Sequence, residues 1–270
     1  MKKTILITGS TDGIGKLAAI KLAHDGHEIY LHGRNPEKLA AVISEIKTLT
    51  KNTNLKGFVA DFSNLEDVKE MAQQVKNDVA KIDVLINNAG VFKSAAFHNK
   101  DGLDLRYVVN YFAPYLLTRE LVPLLKNGTA ARIINLSSAA QAPVVFEVLS
   151  GQERQSNQAT YAQSKLALTM WSFHLAKTLK DIAVIAVNPG SLLNTNMVKE
   201  GYGYHWSSAE KGGNLLYELA ISEEYEGVTG KYFDNDQGDP KGTFGEAHSD
   251  AYSETTINKL IEVTENILFK

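Results

Sequence analysis

The chain has no cysteine among its 270 residues, which excludes disulfides, thiolate metal sites and cysteine nucleophiles. The same absence fits a reducing compartment. A concentrated basic stripe is also missing. The formal net charge is −3, with both signs mixed along the chain, so nothing matches the run of phosphates on a nucleic acid. No segment approaches the ~18 successive apolar residues of a membrane span. The apolar run after Lys3 ends at Gly9, too short for the apolar core of a secretory signal, which needs at least ~7 residues. Histidines are scattered without metal-ligand spacing, and no metal site is expected. These absences lead us to expect a soluble, cytoplasmic protein without a nucleic-acid partner.

What is present is an alternation of short apolar runs with longer segments of helical period, the pattern of βαβ units around a parallel sheet. Strands are expected near Thr4–Thr8, Glu28–His32, Leu55–Ala60, Val84–Asn87, Arg132–Leu136, Ile182–Val187 and Lys231–Phe233. Helices are expected near Ile14–Asp25, Pro36–Thr50, Leu65–Val79, Asp104–Lys126, Ala159–Lys180 and Ala209–Ile221. Asn35 before Pro36 is a clear helix start. Most of the strands are rich in Val, Ile and Leu with little polar alternation, as expected when helices cover both faces. No Pro/Gly/Ser-rich linker divides the chain, so residues 1–270 read as one α/β domain. Asp234–Ser249 reads as a polar surface loop before a last helix near Asp250–Leu268.

Directly after the first strand comes Thr8-Gly9-Ser10-Thr11-Asp12-Gly13-Ile14-Gly15, and then the first helix. Glycines at such a turn permit unusual dihedrals and let the backbone approach a ligand. The helix start offers unpaired N–H groups and a positive dipole end to a pyrophosphate. A tight strand-to-helix turn would use glycines as well, so the cluster needs a second test. An acid at the tip of the second strand would bind the ribose hydroxyl of NAD, whereas an arginine suits the extra phosphate of NADP. Here that tip reads Leu31-His32-Gly33-Arg34, and an arginine fork can hold phosphate oxygens in pairs. The expected cofactor is NADP(H) rather than NAD(H).

Further motifs follow in order: Ala60-Asp61, Asn87-Asn88-Ala89-Gly90, Asn110, Ser137-Ser138, Tyr161-x-x-x-Lys165 and Asn188-Pro189-Gly190. With the glycine turn they make the chain resemble the short-chain dehydrogenase/reductase family over residues 3 to 233. The resemblance implies a single Rossmann fold, doubly wound, with a seven-stranded parallel sheet in the order 3-2-1-4-5-6-7. It implies that Asp61 and Phe62 lie near the adenine, that Asn88, Ala89 and Gly90 lie behind the cofactor, and that Pro189 and Gly190 lie by the nicotinamide. A homodimer or homotetramer through the Asp104–Lys126 and Ala159–Lys180 helices is a further implication.

Tyr161 and Lys165 are one helical turn apart on one face. An ammonium beside a phenol favours phenolate, so Tyr161 is the expected acid/base for proton exchange with a carbonyl or alcohol oxygen. Ser138 resembles the family's catalytic serine, with Ser137 as fallback because adjacent strand residues point oppositely. Asn110 is a poor helix former within a helical stretch; by resemblance it holds a water linking Lys165 to solvent. The expected reaction is NADP(H)-dependent hydride transfer between a carbonyl and an alcohol, on a substrate that is partly apolar. A non-catalytic NADP(H)-binding redox sensor is the alternative.

Three features depart from the family pattern. The serine-to-tyrosine interval is 23 residues, longer than the family commonly shows, and resembles the retinol-dehydrogenase-like branch. The extra segment, within residues 139–158, is expected to border the substrate mouth, with cover of a sheet edge as the alternative. Where the family has a threonine that touches the carboxamide, this chain has Asn194 followed by Thr195, and Thr195 is our choice. Residues 191–208 include Met197 to Trp206, a mixture of glycines and aromatics that suits a mobile lid or a surface loop anchored by its aromatics.

Overall fold

Ile5 and Ile7 of the first strand face one layer of helices and Leu6 faces the other, and all three are fully buried. Side chains alternate sides along a strand, so a strand covered on both faces is buried at every step and mostly apolar. This accounts for the continuous burial of β1 (Thr4–Ile7), β4 (Val84–Asn87), β5 (Arg132–Leu136) and β6 (Ala183–Asn188). The remaining strands are β2 (Glu28–Gly33), β3 (Leu55–Val59), β7 (Lys231–Asp234) and β8 (Thr243–Gly245). The computed structural model describes residues 1–238 and 240–269. Asp239, in the expected polar loop, and Lys270, at the end of the expected C-terminal segment, lie outside the described residues.

Among the described residues the sheet has eight strands in the order β3-β2-β1-β4-β5-β6-β7-β8. Seven are parallel and follow the expected order, 3-2-1-4-5-6-7. The eighth corrects the sequence reading: β8 runs antiparallel to β7, with Tyr232 opposite Gly245 and Asp234 opposite Thr243. It lies inside the stretch read as a loop, where three residues carry too little pattern to reveal a strand. Tertiary contact supplies the missing support, because Phe244 meets Phe233 edge-on at 5.0 Å.

Helices α1 (Gly13–His24), α2 (Pro36–Thr50) and α9 (Ala209–Ile221) cover one face of the sheet. Helices α3 (Leu65–Asp78) and α5 (Ala113–Lys126) cover the other, joined by α7 (Asn157–Thr178). The start of α2 is the one expected: the Asn35 carboxamide oxygen accepts from the Lys38 amide at 2.6 Å, and Pro36 needs no partner there. The expected helix over 104–126 is not continuous. It opens with the short α4 (Leu105–Tyr107), widens into a π turn at Val108–Phe112 and only then becomes α5. Asn110 sits in that π turn, a distortion often found at functional sites.

The 139–158 segment is more than a loop. Val144, Val148 and Leu149, the last two in α6 (Phe146–Leu149), are buried in a third apolar cluster with Tyr107 and Leu166. Its apolar half therefore anchors in the core while residues 151–154 stay exposed. The last helix begins later than expected, as α10 (Glu254–Leu268), because Ser249–Tyr252 forms a 3-10 turn. Leu260 of α10 enters the same cluster as Tyr111 and Trp171. Ion pairs Arg119–Glu265 and Lys177–Glu254, both 2.7 Å, pin α10 to α5 and α7. A partner chain approaching those two helices, the surface the resemblance assigns to oligomer contacts, would meet α10. Among the described residues no helix is long and apolar enough to cross a membrane.

Candidate active site

The glycine turn leaves β1 and enters α1 through two left-handed residues, Gly9 (φ 62°) and Gly13 (φ 53°). Side-chain-bearing residues avoid that region. At Gly9 there is also no room, since a β-carbon would lie 2.8 Å from the backbone of Ala89. Asn88 ties its loop to the turn, donating to the carbonyls of Thr8 and Gly9 at 2.8 and 2.9 Å. Thr8 answers by accepting from the amides of Asn88 and Ala89. The loops after β1 and β4 are thus one unit, and the first amides of α1 have no intrahelical partner.

Not every expected contact residue turns its side chain outward. Ser10 is fully buried and exchanges hydrogen bonds with the backbone of His32. Ile14 packs in the core, and Phe62 stacks on His32 at 4.1 Å. These three side chains are structural, and the Ser10 amide is taken as well, donating to the His32 carbonyl at 2.9 Å. Asp61 accepts from the Ser63 amide and lies at the end of β3. Arg34 is exposed at the tip of β2. Thr11 packs against Gly33 beside it. Asp12 caps α1 and also accepts from Lys38 and Asn196, both at 2.8 Å. Thr195 caps α8 (Asn196–Tyr202) and turns its methyl group toward Gly13, whereas Asn194 is exposed.

His32 is a residue that the sequence reading missed. It is a buried polar group in an apolar strand, and such a group needs partners. Its Nδ1 accepts from the Gly9 amide at 3.0 Å, so Nε2 must carry the proton that it gives to the Ala60 carbonyl, also at 3.0 Å. Burial pushes its pKa down to about 4, outweighing the Ala60 carbonyl and Asp61, which act in the other direction. An unfolded histidine titrates near 6.5. Between these values the unfolded chain binds more protons, so the stability from this group is complete above ~6.5 and is lost as pH falls toward 4. We expect the parent to lose on the order of 1–2 kcal/mol more than His32→Gln between pH 7 and pH 5 in urea unfolding. Equal losses would contradict a neutral His32.

The catalytic candidates converge on the same edge of the sheet. Ser137 is consumed internally, bonded to the Lys165 carbonyl at 3.1 Å and to Thr169 at 2.6 Å. The Ser138 hydroxyl accepts from the Ala140 amide at 3.1 Å, and the serine lowers the pKa of Tyr161 as a hydrogen-bonding neighbour. Lys165, only 4% exposed, donates to the Leu136 carbonyl at 2.7 Å, and its nitrogen lies 5.6 Å from the Tyr161 ring centre. A β-carbon on Gly90 would sit 3.3 Å from Asn110 Oδ1, 3.4 Å from Met197 and 3.7 Å from Lys165 Nζ. Asn110 itself accepts from the Val91 amide and donates to the Val91 carbonyl and Ser164.

The electrostatics differ from expectation. Tyr161 was expected to be pulled toward phenolate by the lysine. Instead burial pushes its pKa up to about 12, with Ser138 opposing and Tyr202 reinforcing the shift. The physical reason is mutual: burial also drives Lys165 down to about 7, which weakens the cation meant to act on the phenol. Phe92 meets Tyr161 edge-on at 5.1 Å and stacks on Tyr202 of α8 at 5.2 Å. No residue of α8 is buried, and Tyr204 and Trp206 beyond it are 57% and 68% exposed. The aromatics of this segment therefore do not anchor it in the core, and Phe92 stands between Tyr202 of α8 and Tyr161.

A family model for short chain dehydrogenases matches residues 3–202. The chain belongs to the short-chain dehydrogenase/reductase family and is an oxidoreductase of that class. Human retinol dehydrogenase 13 is 34% identical over 253 residues, covering 86% of this chain and 76% of that protein. Human polyprenol dehydrogenase is 31% identical, covering 87% and 77%. Within the family this chain falls in the retinol-dehydrogenase-like branch. Among solved structures, a short chain dehydrogenase from Escherichia coli CFT073 complexed with NADPH is similar with a TM-score of 0.72 and 27% identity, covering 86% of this chain and 95% of that one.

Proposed function

We propose that the protein reduces an aldehyde or ketone on a partly apolar substrate, using NADPH, with Tyr161 as proton donor. One chain of contacts carries this reading. Gly9 of the turn abuts Ala89, Gly90 beside it faces Lys165, and Lys165 lies under the Tyr161 ring. The residues fit a dinucleotide: the left-handed glycines keep the backbone free of side chains where the turn meets the start of a helix, and a phosphate is favoured there. Gly9, Thr11, Gly13, Gly15, Asn88, Ala89, Gly90, Pro189, Gly190 and Thr195 would line it, with Asp61 toward the adenine end. When bound, NADPH supplies the hydride.

The chain's own groups handle the proton. A phenol whose pKa is held near 12 stays protonated at neutral pH, which suits donation to a carbonyl oxygen as it gains charge. Ser138 would hydrogen-bond that same oxygen and stabilise the developing charge. Lys165 near 7 can exchange a proton at neutral pH, and Asn110 fixes the backbone beside it. Phe92, Met197 and Tyr202 make the mouth apolar. The names of the relatives, a retinol and a polyprenol dehydrogenase, support a long or flat apolar substrate.

The test is NADPH oxidation against a panel running from small polar ketones to flat apolar aldehydes such as retinal. Turnover should rise with apolar size, and a panel with no turnover would favour the redox-sensor alternative. Arg34 should set the cofactor choice. We expect a lower KM for NADPH than for NADH in the parent, and an increase of about tenfold or more in the NADPH KM of Arg34→Ala with little change for NADH. A parent that prefers NADH would remove that role.

A further inference from the structure

The family match ends at residue 202, yet the end of β7 holds both loops of the site. On one side the Tyr232 hydroxyl donates to the Ser138 carbonyl at 3.0 Å. On the other, three successive residues grip the loop after β6. Asn188, 2% exposed, donates its amide hydrogens to Asp234 at 2.7 Å and Asp236 at 2.8 Å. Asn235 donates to the Pro189 carbonyl at 2.8 Å. Asp236 then accepts twice from Ser191, from its amide at 2.9 Å and its hydroxyl at 2.6 Å.

Such a density of charge-assisted bonds on one short loop is more than β6 needs to end. Sheet pairing already holds β6 to β7 through four residue pairs, from Ile185–Lys231 to Asn188–Asp234. The second residue of the loop, Gly190, lies at φ 116°, one of many conformations open to glycine, so an external clamp can fix the backbone there. Partial burial would raise the pKa of Asp236, but Ser191 and Asn188 overcome it and hold the carboxyl below its ordinary value. It therefore acts as an anionic acceptor throughout the neutral range.

We propose that Asp236 is a positioning residue for cofactor binding, clamping Pro189-Gly190-Ser191 in the conformation that receives the nicotinamide end. This rests on the reading of the site given above. The residue acts through Ser191 and does not itself touch the reacting atoms. Hydrogen bonds to a charged group contribute more than neutral ones, so removing the carboxylate should loosen the loop selectively.

The experiment compares the full-length parent with Asp236→Ala, Asp236→Asn, Ser191→Ala and the double variant Asp236→Ala/Ser191→Ala. NADPH affinity is followed by fluorescence, together with kcat, both KM values and the thermal midpoint. We expect Asp236→Ala to weaken NADPH about tenfold or more, while the KM for the carbonyl stays near that of the parent. Asp236→Asn, which keeps one acceptor oxygen, should fall between. The double variant should be no worse than Asp236→Ala, because both remove the same contact. A merely structural role would lower the midpoint and active fraction but leave the NADPH KM unmoved, and that result overturns the proposal. If Asp236→Ala does not fold, Asp236→Asn decides: an NADPH affinity equal to the parent's overturns it. A parent that binds no NADPH sinks the underlying reading as well, whereas a parent that binds it no better than the variants sinks the clamp alone.

Discussion

Tyr161→Phe should lose about a thousandfold or more in kcat while binding NADPH within about twofold of the parent. The substitution removes one oxygen and leaves the ring against Phe92 at 5.1 Å and above Lys165, so packing is preserved. A positioned proton donor is worth roughly 10²–10⁴ in rate. The upper part of that range is expected because phenylalanine leaves no group at that position to donate the proton. Lys165→Met should be nearly as damaging, since Lys165 is the group proposed to exchange protons beside it. Single-turnover kinetics with saturating NADPH separate the chemical step from binding. Retained turnover in Tyr161→Phe would remove the tyrosine from the mechanism.

Gly9→Ala should disable the protein by a different route, through the backbone. The left-handed φ of 62° costs a residue with a side chain roughly 1–2 kcal/mol. The added methyl would also meet the Ala89 backbone at 2.8 Å, and a backbone wall cannot rotate aside as a side chain can. Because Asn88 and Thr8 lock the two loops together, relief at Gly9 must move the loop after β4 as well. We expect a loss on the order of 2–4 kcal/mol of stability in urea unfolding, with no measurable NADPH binding in the folded fraction. A variant with the parent's midpoint and the parent's affinity would show that the cradle is not where we place it.

The legible parts of this protein were those written in local chemistry. The Asn35-Pro36 helix start, the apolar strands and the one-turn spacing of Tyr161 and Lys165 are short-range statements, and each appears in the structure as read. The harder parts were non-local. Nothing near Thr243 announces a strand, because β8 exists through Phe233 on a strand formed elsewhere. His32 looked like an incidental histidine until the Gly9 amide and Ala60 carbonyl came to lie on either side of it. The pKa of Tyr161 was read in the wrong direction, since neighbour spacing reports a nearby charge but not how much water the fold removes from it.

Residue order alone determined the α/β architecture, the turn fit for a phosphate and the identity of the four candidate catalytic side chains. The first two follow from dihedral preference and periodicity, which act over a few residues, whereas the side chains were picked out by resemblance to the family's motifs. Only the tertiary structure committed the Ser137 hydroxyl to Thr169 and the Lys165 carbonyl, faced Thr195 toward the glycine turn and brought Asp236 from the far end of the chain onto Ser191. Such choices depend on which distant groups share one small volume and on how dry that volume is, and neither quantity is a property of any short stretch of sequence.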